Sequence, residues 1–282
     1  MPFLDRPLSY YFRLALSIIV GGRCEICGEI TASEFVCSRC LLGLPYVEER
    51  LLPWNKICLR FEGSIPICRA YSLFYYIKGE GSQHIITSIK YRRARALGIW
   101  AGTFIADDAQ SCGLFDDVDL LQPMPIHILR HLRRTYNQSD LLVRGIEART
   151  GIPISNLVRR HKYTCSQTRL QASERRENVV GAFKGRRRAI LKALAEKDRR
   201  GKATLNIAIV DDVITTGASV INCARAILQA VPERAGEITF TVVSLAISGR
   251  SPMGVVTPEK LHLDDATCSN EDFLNSQHRP LS

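Results

Sequence analysis

The chain has 282 residues, 46% of them hydrophobic, and 38 lysines and arginines against 28 aspartates and glutamates give it a net charge of +10. That apolar content can bury one good core plus a small accessory module, which excludes a mainly disordered or fibrous chain. The basic balance favours phosphorylated ligands or nucleic acid as partners, without choosing between them.

Residues 8–20 read as a short amphipathic helix. Their apolar run, Leu14 to Val20, is interrupted by Ser17 and is far too short to span a bilayer. Asp5 and Arg6 precede it without a basic cluster, and Gly21-Gly22-Arg23 makes a poor cleavage or lipidation site. Neither a membrane span nor a signal peptide is therefore expected, and the expected location is cytoplasmic.

Two C-x-x-C knuckles follow, Cys24 with Cys27 and Cys37 with Cys40. Disulfides or a redox pair are the competing readings of a lone knuckle, but four thiolates so arranged suit one tetrahedral, structural Zn2+. Gly28 relaxes the first knuckle. A segment this small lacks its own core, so metal binding would supply its folding energy. Cys58 and Cys68 show no comparable spacing and read as buried or incidental thiols.

Residues 71–77 read as a strand, followed by a helix carrying Ile85, Ile86 and Ile89. A second strand, 118–122, ends in Pro123-Met124-Pro125. His127 and His131 have no carboxylate or thiol close in sequence and read as surface histidines. The helix 140–150 packs through Leu141, Leu142 and Ile146, and stops where Gly151 and Pro153 require. The arginine-rich run 184–202 reads as an exposed amphipathic insertion, with nucleic-acid contact as its functional alternative.

The most informative stretch is 207–219, Ile-Ala-Ile-Val-Asp-Asp-Val-Ile-Thr-Thr-Gly-Ala-Ser. Leu205 to Val210 is apolar at nearly every position, as in a strand covered on both faces of a parallel sheet. Asp211 and Asp212 stand at its end. Apolar residues then recur at helical spacing from Val220 to Val231. The loop Thr215, Thr216, Gly217, Ala218, Ser219 thus meets a helix amino terminus, where unpaired N–H groups favour an anion. No G-x-x-x-x-G-K-[ST] loop occurs, so a nucleoside triphosphatase reading of the acidic pair lacks its phosphate grip. A last strand is expected at 238–245, and residues 249–282 read as a disordered tail.

At Asp211 to Ser219 the chain resembles the type I phosphoribosyltransferases. The resemblance implies that Asp211 and Asp212 serve as catalytic and substrate-binding groups that hold the ribose hydroxyls, directly or around Mg2+. It also implies that residues 215–219 wrap the 5-phosphate of phosphoribosyl diphosphate. The cysteine knuckles ahead of this motif narrow the resemblance to the ComF-type competence family. Ile89-Lys90-Tyr91-Arg92 is similar to that family's lysine-tyrosine segment. Arg133, Arg134, Tyr136, Asn137 and Gln138 are similar to its basic loop, implying that Arg133 and Arg134 face the diphosphate. Gln167, Thr168 and the stretch Ser173 to Val179 resemble that family's segment where type I enzymes carry a mobile loop that folds over substrate, with a solvated basic surface as the alternative reading.

The expected fold is accordingly α/β, a type I phosphoribosyltransferase-like open parallel sheet with an appended zinc ribbon. Its expected division is 1–60 for the helix and ribbon, 61–248 for the transferase-like domain and 249–282 for the tail. Single-stranded DNA, competence proteins and a place in DNA uptake during natural transformation come from the family resemblance alone. Whether the protein turns over substrate, senses a ligand without turnover, or handles single-stranded DNA stays open in the sequence.

Overall fold

A computed structural model describes residues 22–31, 35–91, 94–126, 136–160 and 181–249, all within one compact unit, Met1–Arg250. The expected helix at 8–20 and the expected tail lie outside the described residues. So do His127, His131, Arg133, Arg134 and the stretch 167–179.

A short antiparallel pair, β1 (Gly22–Arg23) and β2 (Ile30–Thr31), opens the described chain, followed by α1 (Ser38–Leu42). The central sheet holds β3 (Ile67–Tyr75), β4 (Leu120–Pro123), β7 (Leu205–Ile214) and β8 (Ile238–Ile247). All are parallel, in the order β3-β8-β7-β4. A small antiparallel pair, β5 (Val158–Arg160) with β6 (Phe183–Gly185), stands apart from this sheet.

The alternation along β7 explains its apolar run. Ala208 and Val210 join one core with α2 (Gly81–Tyr91), α3 (Arg95–Ala109) and α4 (Gln138–Thr150). Ile207 and Ile209 join a second core with α5 (Arg187–Arg199) and α6 (Ala218–Ala230). Each fully buried Ile or Val contributes about 1.5–3 kcal/mol relative to exposure, so a strand flanked on both sides is bound to the middle of the sheet.

Two sequence expectations need correction. The run 184–202 is not an exposed insertion: α5 carries the fully buried Ile190 and Leu194 onto the second core, and its arginines occupy the outer face. A stripe of only two large apolar residues among so many charges hides such a helix in the sequence. The strand expected at 205–210 also runs further, because pairing with β8 continues to Ile214↔Ile247, so the acids lie within its carboxyl-terminal half. Helix α3 was not anticipated at all. Its buried face is mostly small, with Gly98, Ala101, Gly102, Ala106 and Ala109 beside Leu97 and Ile105, so its apolar signal is weak.

Both margins of the sheet are covered by main chain. Along β3, Tyr75 donates to the carbonyl of Pro45 (2.7 Å) and Val47 donates to that of Leu73 (3.1 Å). Along β4, Leu121 donates to Pro153 and accepts from Ser155, at 3.0 and 2.7 Å. The four-cysteine segment shares the first core, which takes in Cys24, Val36 and Leu44. A half-buried brace ties the first of these margins to the helices: Asp108 of α3 accepts from Tyr71 Oη (2.6 Å) and from Arg50 Nε and Nη2 (2.7 and 2.8 Å). No helix among the described residues is long and apolar enough to cross a membrane.

Helices α3 and α4 meet backbone to backbone. A methyl group on Gly145 would sit 2.1 Å from the carbonyl oxygen of Ile99, and one on Gly102 would sit 2.1 Å from that of Leu142. Gly145→Ala should therefore lower unfolding stability in a urea titration by about 3 kcal/mol or more. Gly236→Ala, at a site with nothing within 4 Å, should leave the midpoint nearly unchanged.

Candidate functional site

The carboxyl end of β7 is where the two neighbouring strands diverge. On one side the ladder with β4 stops at Pro123↔Val210, and on the other the ladder with β8 runs on through Asp211↔Ser244. One further bond, from the Met124 N–H to the Val210 carbonyl at 2.8 Å, ends the contact. Asp211 and Asp212 therefore lie beyond the last β4 pair, each partly exposed. Open α/β sheets commonly bind ligands above strand ends of this kind.

Two adjacent carboxylates repel, and the surroundings treat them differently. Asp212 is neutralised by Lys90 from the end of α2, with Nζ to Oδ2 at 2.7 Å and side chains only 21% and 17% exposed. Asp211 Oδ1 accepts the backbone N–H of Asp212 at 2.9 Å and the hydroxyl of Ser139 at 3.3 Å. Burial first, and the charge of Asp212 second, push Asp211 up to about 7, against the pull of these hydrogen bonds and of Lys90. At neutral pH this carboxyl is poised between its two protonation states.

Ser139 reaches Asp211 because Asn137 sets the start of α4. The Asn137 side chain accepts from Ser139 N–H (3.3 Å) and donates to the carbonyl of Met124 (3.0 Å) and to Asp140 (2.8 Å). Tyr136 donates to the carbonyl of Ile89 at 2.5 Å, one residue before Lys90. The Tyr136-Asn137-Gln138 part of the expected basic loop thus stands beside the acidic pair. A cavity of about 500 Å³ opens on the other side of this turn, lined in part by Asn137, Asp140, Arg144 and Arg159.

The loop 215–219 follows directly. Thr215 and Thr216 are exposed, and Gly217 is buried, with φ +79° at the cap of α6. That left-handed backbone favours glycine, and a β-carbon there would also sit 2.9 Å from the ring of Phe61. The first intrahelical bond runs from Ile221 N–H to the Gly217 carbonyl (3.0 Å). Earlier N–H groups lie at the helix mouth, the arrangement that suits an anion. Arg60 holds the loop from outside, donating from Nη1 to the carbonyl of Thr215 at 2.5 Å.

The structure therefore brings Asp211, Asp212, Thr215, Thr216, Gly217, Ala218 and Ser219 into one continuous strand, loop and helix start. Sequence reasoning assigned no site role to Lys90, Ser139 or Arg60. Lys90 stood inside a recognisable segment, whereas nothing local marks Ser139 or Arg60, whose partners lie 72 and 155 residues away.

The four knuckle cysteines converge. Their sulfurs all lie within 4.8 Å of one another, with Cys27 and Cys37 at 3.8 Å. Four sulfurs about 2.3 Å from one tetrahedral ion would stand roughly 3.8 Å apart, so a metal ion fits. Cys24 is favoured as a thiolate. Burial opposes its charge, yet N–H groups of Cys27, Cys37 and Ile26 bring it down to about 6. Among the described residues Cys58 and Cys68 take no part in this cluster, Cys58 being fully buried and Cys68 exposed.

No family model matches the chain. Competence protein F of Haemophilus influenzae is 38% identical over 99 residues, a stretch covering 35% of this chain and 39% of that protein. The DNA utilization protein YhgH of Salmonella typhi is 33% identical over 228 residues, covering 79% of this chain and 91% of that protein. Its Escherichia coli K12 counterpart is 26% identical over 233 residues with the same coverage. Among solved structures, glutamine phosphoribosylpyrophosphate amidotransferase from B. subtilis overlaps 56% of this chain and 30% of its own, at 15% identity and a TM-score of 0.32. At that score the overlap adds nothing to the sheet order and motif placement above. With a third of its residues shared along nearly the whole of the Salmonella typhi protein, the chain belongs to the family of competence protein F and the DNA utilization protein YhgH.

Proposed function

We propose that this protein binds phosphoribosyl diphosphate or a closely related sugar phosphate at the end of β7, and that it serves DNA handling during uptake. One observation carries the reading: a pair of adjacent, partly buried carboxylates lies three residues before a glycine-bent loop at the amino terminus of a 13-residue helix. Carboxylates accept hydrogen bonds from vicinal hydroxyls, and a helix mouth accepts a phosphate, so the two halves match the two ends of a pentose phosphate.

In this reading Asp211 and Asp212 hold the ribose hydroxyls, and residues 215–219 seat the 5-phosphate. Lys90 must release Asp212 or share it when ligand enters. If the protein is a phosphoribosyltransferase, the same pair steadies the positive charge that develops on the ribose as diphosphate departs, and Arg133 and Arg134 neutralise the leaving group. The hard oxygens of Asp211 and Asp212 suit Mg2+, which when bound with substrate would offset diphosphate charge. The four-cysteine cluster holds zinc in a closed, structural role without chemistry of its own. The names of the relatives, competence and DNA utilization, support the DNA role, and the +10 charge is compatible with single-stranded DNA and competence proteins as partners. We place the protein in the cytoplasm, where its sugar-phosphate ligand is made.

Calorimetric titration of the whole protein with phosphoribosyl diphosphate and Mg2+ tests the central claim. Saturable heat is expected, and Asp211→Asn or Asp212→Asn should weaken binding about 10- to 100-fold, the cost of losing hydrogen bonds to a charged group. No heat with the parent protein, or unchanged affinity in both variants, overturns the reading. Diphosphate release across a panel of acceptors then separates an enzyme from a sensor.

The raised value of Asp211 also fixes a sign. A carboxyl that ionises near 7 when folded and near 3.8 otherwise costs stability once charged, so stability falls as pH climbs from about 4 to about 7. Asp211→Asn should melt above the parent at pH 8 and converge with it near pH 4. Elemental analysis should find one zinc per chain, and Cys37→Ser should lose it together with thermal stability.

A further inference from the structure

We propose that Arg60, just downstream of the four-cysteine segment, is a positioning residue of the sugar-phosphate site, pinning the phosphate loop and presenting it with a positive charge. The inference rests on the phosphate-binding reading of residues 215–219.

Arg60 sits in a single 3-10 turn, Cys58–Arg60, whose placement is fixed independently of the loop. Asn55 accepts from the N–H groups of Ile57 and Cys58 (3.0 and 3.3 Å) and donates to the carbonyl of Ala70 on β3 (2.8 Å). Cys58 and Phe61 are wholly buried in the second core. The turn is thus bolted to the sheet, and what it extends toward the loop is held rigidly.

It extends two groups. The ring of Phe61 fills the space beneath Gly217, so the loop cannot settle further into the core. The guanidinium of Arg60 bridges the loop to the end of β8, donating from Nη1 to Thr215 O (2.5 Å) and from Nη2 to Ser248 O (3.1 Å). Ser248 in turn donates its N–H to the carbonyl of Ile214 at 2.7 Å, so three adjoining backbone segments are cross-tied at the loop's entrance.

The charge is the informative part. Carbonyls satisfy hydrogen bonds but leave the cation uncompensated, and no carboxylate pairs with Arg60 among the described residues. Half-buried, it is less comfortable as a cation than in water, and its burial pushes its pKa down. A guanidinium carries five N–H donors, more than the two carbonyls consume. An anion arriving in the adjacent loop would restore the charge balance that the fold leaves open. Glu or Asp would serve as a purely structural clamp's counterion, and none is supplied among the described residues.

The experiment is calorimetry with ribose 5-phosphate on the full chain and on Arg60→Ala, Arg60→Lys and Arg60→Gln, at two salt concentrations, with circular dichroism melts alongside. Arg60→Ala should bind at least tenfold more weakly, and Arg60→Lys should recover most of that loss while Arg60→Gln does not. The salt dependence of binding should be shallower for Ala and Gln than for the parent and Lys. Binding by Arg60→Ala within twofold of the parent, or Gln rescuing as well as Lys, overturns the role of the charge while leaving the phosphate site standing. If the parent itself does not bind, the phosphate reading falls and takes this inference with it. Should Arg60→Ala fail to fold, the Lys and Gln pair decides.

Discussion

Like charges on consecutive residues at the end of a buried strand are an unfavourable arrangement, and much of the local structure exists to tolerate it. Asp212 needs Lys90, so α2 must end where it does. Asp211 needs the N–H of Asp212 and the hydroxyl of Ser139, so α4 must begin where Asn137 starts it. β4 must stop early enough to leave both acids uncovered. The residual penalty appears as the raised proton affinity of Asp211. Proteins retain such local conflict where a ligand relieves it, which is why perturbed carboxyls in a crevice point to function.

Phosphate recognition makes the opposite demand, for uncompensated positive potential. In the proposed reading the mouth of α6 supplies it through the helix dipole, with Gly217 letting the main chain turn tightly there and the Ala218 N–H turned to Thr216 Oγ1 at 3.4 Å. Negative and positive halves lie within one stretch of chain, so their spacing is set by a single strand-to-helix turn and does not depend on how distant domains dock. The four-cysteine segment joins the same core through Cys24, Val36 and Leu44.

What could be read from the sequence divides along physical lines. The strands of the central sheet were legible because a doubly covered strand is apolar at consecutive positions, as Ile207 to Val210 is; the short pairs β1–β2 and β5–β6 carry no such run. The acids, the loop and the paired knuckles were legible because their chemistry needs particular residue types at short, fixed spacing. Helix α3 was not, since close approach of two backbones selects Gly and Ala and erases the amphipathic signal. The burial of α5 was masked by arginines that outnumber Ile190 and Leu194. Lys90, Ser139 and Arg60 acquire their meaning only when the chain closes on itself, and no local pattern encodes that closure.

The covered margins of the central sheet carry a last consequence. Residues 45–47 and 153–155 occupy backbone groups of β3 and β4 that an extended strand from elsewhere would otherwise seek. Self-association, or capture of an extended peptide by zipping onto this sheet, is closed off at these positions. A partner that meets the central sheet along these stretches must be held by side chains and charge, because the main-chain groups there are already taken.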